Sequence, residues 1–431
     1  MSLPFIYPPH HISGKPNLGR RIFIFLGALW LTLMGYSFIP LLGDARITLV
    51  LASCWIGLPL VLLQGRSFLS GMRAFAAQHL PFFLFAVFIG FSVLSSLLSS
   101  DPVLCLSYLL GTLVSIVIWI ELRVYLASDM LSMLRWYAVM ASLLLVPVYL
   151  TGGSGGRRLA ISELQHPNQL AGICVAVMCA ALAVKNAVVR LGIIAFMFLV
   201  IIATGSRTRL ITATMAVALY CFLATAKKRR AVRLLTSLGL VAVLLLALSF
   251  FSGSLIDGAS SVLLLDDKNR GVGAGFSGRF DLLEDGLSNF ADSPLIGYGF
   301  RLPNNAISGY LILLVQIGIC GTLPLLLFCG LRLSGLWGDA RRGSVEAMIA
   351  TSAVGGYLLA AFSEPTLLNP SSPSAVIALI YIFAPRLKNW QSRLSFPSRV
   401  RLVYCYENVG DFDPPRGLRN TDHFRPSNRP I

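Results

Sequence analysis

The chain has 431 residues, of which 56% are hydrophobic and only 13% charged, and a soluble globular protein needs far more polar surface than that composition supplies. Its formal net charge of +16 does not argue for a nucleic-acid partner, because the basic residues stand in short connections between apolar runs, where membrane topology accounts for them. Seven of the eight cysteines (Cys54, Cys105, Cys174, Cys179, Cys221, Cys320 and Cys329) fall inside those runs, where Cys acts as a small hydrophobe, and they form no disulfide or zinc pattern.

After a basic tail (1–21), the first run, Ile22 to Leu42, has no small-residue cleavage site and is expected to remain as an anchor rather than leave as a signal. Further runs follow at Ile47 to Leu63, Leu80 to Leu98, Val103 to Ile120, Met133 to Leu150, Gln169 to Val184, Leu191 to Thr204, Leu210 to Ala226 and Leu234 to Phe251. The last three are Ile307 to Cys329, Ala347 to Phe362 and Ala375 to Ala384. A bilayer core of about 30 Å needs roughly 20 apolar residues in a helix. The runs are continuous rather than alternating, which excludes a barrel, since lipid obliges each segment to satisfy its own backbone. The expected fold is therefore an all-α, polytopic transmembrane helix bundle of about twelve spans, with segments 22–251 and 304–386 on either side of a long hydrophilic connection, 252–303. The tail 387–431, rich in Pro, Arg, Asn and Asp, has no apolar period and is expected to be mobile. There is no internal repeat.

Within the long connection, Phe280, Leu283, Leu287 and Phe290 recur at helical spacing opposite Asp281, Glu284, Asp285 and Ser288, the pattern of an amphipathic helix lying on a membrane surface. Pro294, Gly297 and Gly299 then break it before the chain re-enters the bilayer. Assigning connections alternately to two sides puts 26 of the 35 Lys and Arg on one side, with Lys227-Lys228-Arg229-Arg230 and Arg233 as its strongest marker. By the positive-inside bias that side is cytoplasmic and holds both termini. Of the nine remaining basic residues, eight (Arg157, Arg158, Arg207, Arg209, Lys268, Arg270, Arg279 and Arg301) cluster in three outer connections.

Guanidinium groups gathered against the outer face point to a bound anion, and a lipid diphosphate carrying a sugar chain is the anion such a site would meet. Arg207 and Arg209, in the tight connection Gly205-Ser206-Arg207-Thr208-Arg209, and Arg279 in the long loop are the candidate diphosphate-binding residues. A planar forked donor stabilises a departing phosphate more specifically than an ammonium does; the plainer alternative is that these arginines snorkel to lipid headgroups. An acceptor hydroxyl attacking an anomeric carbon must lose a proton. The outer-face candidates for that task are Glu163, His166, Asp281, Glu284, Asp285 and Glu364. His166 and Glu364 are the two chosen as catalytic: His166 opens a span beside Asn168, which could orient sugar hydroxyls, and Glu364 is ionisable beside the bilayer. The three acids of the amphipathic helix read more simply as its solvated side. Arg157 and Arg158 suit an anionic lipid. The outer acids lack metal-ligand spacing, so a metal-independent transfer with no cofactor is expected.

His166-Pro167-Asn168-Gln169-Leu170-Ala171-Gly172, Gly205 to Arg209, and Ser277-Gly278-Arg279 continuing through Phe290, Pro294, Gly297 and Gly299 resemble the O-antigen ligase and polysaccharide polymerase family. That resemblance covers roughly the middle third of the chain. It implies a bacterial inner-membrane enzyme that moves glycans from undecaprenyl diphosphate on the periplasmic face, with the residues that look like Arg207 and Arg279 gripping the donor diphosphate. Implied partners are the undecaprenyl-diphosphate-linked oligosaccharide, membrane lipids and other polysaccharide-assembly proteins. An exopolysaccharide or O-antigen polymerase is expected first, and a ligase passing the glycan to lipid A core second. A non-enzymatic carrier of lipid-linked sugar is a third reading, disfavoured because no repeated halves occur. The family has a His-Asn pair just before a Tyr-Leu. Here the stretch reads Ala306-Ile307-Ser308-Gly309-Tyr310-Leu311, with Ile307 at the histidine position.

Overall fold

The computed structural model describes residues 18–36, 70–126, 129–151, 159, 167–225, 275–301, 308–364, 367–368 and 373–384. Outside them lie the expected runs Ile47 to Leu63 and Leu234 to Phe251, the marker Lys227 to Arg233, the start of the long connection, and both terminal tails. Every regular element among the described residues is a helix: α1 (Leu18–Tyr36), α2 (Ser70–Ala76), α3 (His79–Leu97), α4 (Pro102–Tyr125), α5 (Met130–Leu150), α6 (Pro167–Ala181), α7 (Ala187–Thr204), α8 (Arg207–Ala224), α9 (Gly275–Asp292), α10 (Gly309–Arg341), α11 (Val345–Ala360) and α12 (Pro373–Phe383).

The all-α expectation holds, and the count of spans becomes more selective. Among the described residues six helices (α3, α4, α5, α7, α8 and α10) are long and apolar enough to cross a bilayer, while α6, α11 and the Arg21–Thr32 part of α1 are apolar but shorter. Shortness goes with position. In α6 every residue from Leu170 to Ala181 is buried, and α12 is buried from Ala375 to Phe383, so these two are apolar all round because other helices surround them. Phe75, Phe85, Phe328 and Phe383 form an aromatic knot beside them, with ring centroids 5.3–6.0 Å apart. The long helices instead turn large apolar side chains outward, Phe83 being 61% and Leu143 65% exposed. A surface of that kind is stable against lipid and unfavourable against water.

The helix ends sort into two sets. Arg123 reaches Glu346, Arg332 reaches Gln78 and the Ile382 carbonyl, and Arg135 reaches the Ala183 carbonyl. These contacts gather the start of α3, the end of α4, the start of α5, the loop after α6, the start of α11 and the end of α12 at one end, called here the basic end. The start of α8, the start of α10 and the chain following α11 meet at the other, the Glu364 end.

Helix α10 is broken at Gly318, whose φ of 62° and ψ of −174° interrupt the ladder. A backbone break inside a bilayer needs protein partners, and residues 294–299 supply them. Tyr298 N–H donates to Val315 O at 3.0 Å, Gly299 N–H to Gln316 O at 2.9 Å, and Ile319 N–H to Pro294 O at 2.8 Å. Ser95 of α3 adds a hydroxyl donor to Gln316 O at 2.6 Å. Any β-carbon at position 318 would collide with the Leu295 carbonyl, so glycine is required there by space as well as by φ.

Candidate functional site

The turn between α7 and α8 is two residues long because each suits its place. Gly205 closes α7 in the left-handed region (φ 61°), its N–H donating to Ile202 O, and extended Ser206 begins α8. Arg207 and Arg209 thereby fall in the first turn of α8, about 200° apart around its axis. Arg209 is buried and pairs with the Glu364 carboxylate, also buried, whereas Arg207 is half-buried. Between them the Ser363 hydroxyl meets the Thr208 hydroxyl at 3.2 Å. The Ser206 hydroxyl is buried with no hydrogen-bond partner among the described residues. Here the first-turn amides lack intrahelical acceptors and the helix dipole is positive.

The chain after α11 is laced to its neighbours through its backbone. Gly309 N–H at the start of α10 donates to Ala361 O at 2.8 Å and Glu364 O at 3.1 Å, and the Tyr310 hydroxyl donates to Leu358 O at 2.7 Å. Leu368 N–H donates to the Tyr357 hydroxyl at 2.8 Å, and its carbonyl accepts from the Arg301 guanidinium at 2.5 Å. Three of the residues selected from sequence, Arg207, Arg209 and Glu364, thus meet at one end of the bundle, although Arg209 and Glu364 spend part of their charge on each other.

The others are placed less completely. Asn168 stands, half-buried, in the first turn of α6, and Arg279 occupies the second turn of α9. Glu163, His166, Arg157, Arg158 and Ile307 lie outside the described residues. The amphipathic segment is helical as expected, with Asp281, Glu284, Asp285 and Ser288 exposed. Its docking face differs from the expected row: Gly286 is buried and Phe290 packs on Leu311 and Val315 of α10, while Leu283 and Leu287 are 39% and 52% exposed. Arg301, grouped with the outer arginines in the sequence but given no role, joins the site through Leu368. The usable signal was its place just after Gly297 and Gly299. Among the described residues no three His, Cys, Asp or Glu side chains gather in a way that could hold a metal ion.

Comparison with curated proteins finds no match. The O-antigen ligase family model matches residues 192–326, a stretch that begins in α7, carries the Arg207 to Arg209 turn and α9, and ends in α10 past the Gly318 break. The His166 to Gly172 motif and Glu364 fall outside it. This stretch of the chain is therefore similar to the O-antigen ligase family.

Proposed function

We propose that the protein is a multi-pass inner-membrane polymerase that transfers oligosaccharide repeat units from an undecaprenyl-diphosphate carrier, with the Glu364 end facing the periplasm and both termini in the cytoplasm. The observation that carries this reading is the build of the α8 N-terminus: a half-buried Arg207, a buried Ser206 hydroxyl without a described partner, and first-turn amides, all facing the side opposite the basic end. Such an arrangement binds phosphate oxygens. Arg207, with Arg279 from α9, stabilises the charge that grows on the diphosphate as its bond to the anomeric carbon breaks, and one preorganised donor of this type is worth about 3–4 kcal/mol in the transition state.

Arg209 has a different task in this reading. It holds Glu364 beside Gly309, next to the stretch where the resemblance places the family His-Asn pair. The acceptor hydroxyl forms the new bond to the anomeric carbon and gives its proton to Glu364 or to His166, while Asn168 orients sugar hydroxyls. The diphosphate leaves with the electron pair of the broken bond.

The test is polymer synthesis in cells carrying Arg207→Ala or Arg279→Ala. Both variants should remain in the membrane and make no polymer, with single lipid-linked repeat units accumulating. Arg207→Lys should restore little, because an ammonium lacks the fork. Normal polymer from both alanine variants removes the reading. Full-length chains retained on the carrier, with none attached to lipid A core, would indicate a ligase instead.

A further inference from the structure

Two non-glycine residues among those described have positive φ, Arg301 at 64° and Leu368 at 53°, and they are hydrogen-bonded to each other through the Arg301 guanidinium and the Leu368 carbonyl. A β-carbon in the left-handed region costs roughly 1 kcal/mol or more. Glycine, used at Gly297 and Gly299 in the same turn with φ of 78° and 130°, would hold the backbone at position 301 without that cost. An arginine kept where glycine fits better points to its side chain as the reason.

The charge of that side chain is also unusual. Arg209, Arg123 and Arg342 each face a carboxylate, Glu364, Glu346 and Asp339. Arg301 has no carboxylate partner among the described residues: a carbonyl takes one of its donors, and Tyr357 and Tyr108 are its charge neighbours. Arg301 is half-buried, and desolvation pulls its guanidinium below the ordinary value, the direction expected where a cation lacks a counter-charge. Buried charges are normally paired. An anion supplied from outside would complete Arg301 as Glu364 completes Arg209, and both arginines contact the chain that follows α11, at Leu368 and at Glu364.

We propose that Arg301 is an anion-binding residue of this site, contacting a phosphate group of the lipid-linked donor together with Arg207. The proposal rests on the glycan-transfer reading and adds a guanidinium outside the motifs that suggested it. The Leu368 carbonyl fixes one edge of the fork, so the remaining N–H groups are held in place before substrate arrives. Preorganised donors of that kind lose less entropy on binding than a free surface arginine.

The test uses full-length protein in detergent, with thermal unfolding followed as farnesyl diphosphate or, separately, phosphatidylglycerol is titrated. Arg301→Gly should unfold at the wild-type temperature or above it, since the backbone strain is relieved, and should need about tenfold more farnesyl diphosphate for half its stabilisation, the loss of one charge-assisted hydrogen bond. Gly330→Ala, with open space around it, is the control, and its farnesyl diphosphate response should match wild type. An unchanged response in Arg301→Gly overturns the proposal, as does a loss confined to phosphatidylglycerol, which would make Arg301 a headgroup contact. A fall in unfolding temperature with the response intact assigns it a purely structural role and overturns the proposal too. The polymer assays on Arg207→Ala and Arg279→Ala report on the glycan-transfer reading separately, so either idea can fail while the other stands.

Discussion

Helix α11 has an Arg–Glu pair at each end, about 24 Å apart along its axis, and the two pairs sit in different surroundings. At the basic end Arg123 meets Glu346 at 2.7 Å. Glu346 lies in the first turn of a helix capped by Ser344, whose hydroxyl accepts from Ala347 N–H, and Arg123 lies 5.8 Å from the centroid of the Tyr381 ring. Nearby, Arg332 binds a backbone carbonyl and Gln78. At the other end Arg209 meets Glu364 on an irregular segment, beside two left-handed non-glycine residues and a serine cap that bonds nothing described. The basic end has no left-handed non-glycine residue among the described residues and acts as a clasp. The Glu364 end leaves donors and strain in place, which is the condition of a site that expects a ligand.

The largest effects should come from cutting the pairs, and they would break the comparison if the two ends responded alike. Arg209→Ala leaves Glu364 buried without its cation, a loss of about 3–5 kcal/mol, read as lower yield and earlier unfolding in detergent. Arg123→Ala should cost somewhat less, because the Glu346 side chain retains 23% exposure. The ends separate in the double variants. Arg209→Met with Glu364→Leu should recover most of the stability, since apolar residues can replace a buried pair, yet make no polymer. Arg123→Met with Glu346→Leu should recover stability and keep polymer synthesis per folded molecule close to wild type. Polymer from the first double variant would mean that the Glu364 pair is as structural as the other.

The break in α10 comes next in size. Gly318→Ala places a β-carbon against the Leu295 carbonyl in a left-handed conformation, and the segment 294–299 must give way. A cost of roughly 2–3 kcal/mol is expected. Because that segment leads directly into Arg301, the response to farnesyl diphosphate should weaken along with stability. Gly330→Ala, in the same helix with open space around it, should be neutral or slightly stabilising, and serves as the control.

How far the sequence foretold these features depends on the range of the interaction. The helical class, a tight connection at Gly205 to Arg209 and the helix at Arg279 to Phe290 were legible because caps and apolar spacing are local, although α8 takes in Arg207 and Arg209. The pairing of Arg209 with Glu364 was not, since 155 residues separate them and each looked like an independent site residue. The helix break was hidden for a related reason: Gly318 sits in an unbroken apolar run, and only its contact with Leu295 shows why glycine is needed. The number of spans was less legible, because apolar content does not distinguish a helix surrounded by protein, such as α12, from one surrounded by lipid; six helices among the described residues have the length and composition to cross. Arg301 was visible as an outer arginine, but its backbone conformation is a property of the folded turn.

The smallest effect sharpens the comparison most, because it concerns one residue type in one position at the two ends. Ser344 and Ser206 both precede a helix in an extended conformation. Ser344→Ala removes a real cap at the basic end and should cost about 1 kcal/mol, with polymer synthesis per folded molecule unchanged. Ser206→Ala removes a buried hydroxyl with no hydrogen-bond partner among the described residues, and deleting an unsatisfied polar group is neutral or favourable. Unfolding without ligand should therefore stay level or rise. If that hydroxyl serves the donor diphosphate, stabilisation by farnesyl diphosphate should fall by about threefold to tenfold, the value of one neutral hydrogen bond. A serine that costs nothing to remove from the empty protein, yet weakens the liganded one, would mark the α8 N-terminus as built for an anion. A serine whose removal destabilises both equally would make it a cap like Ser344.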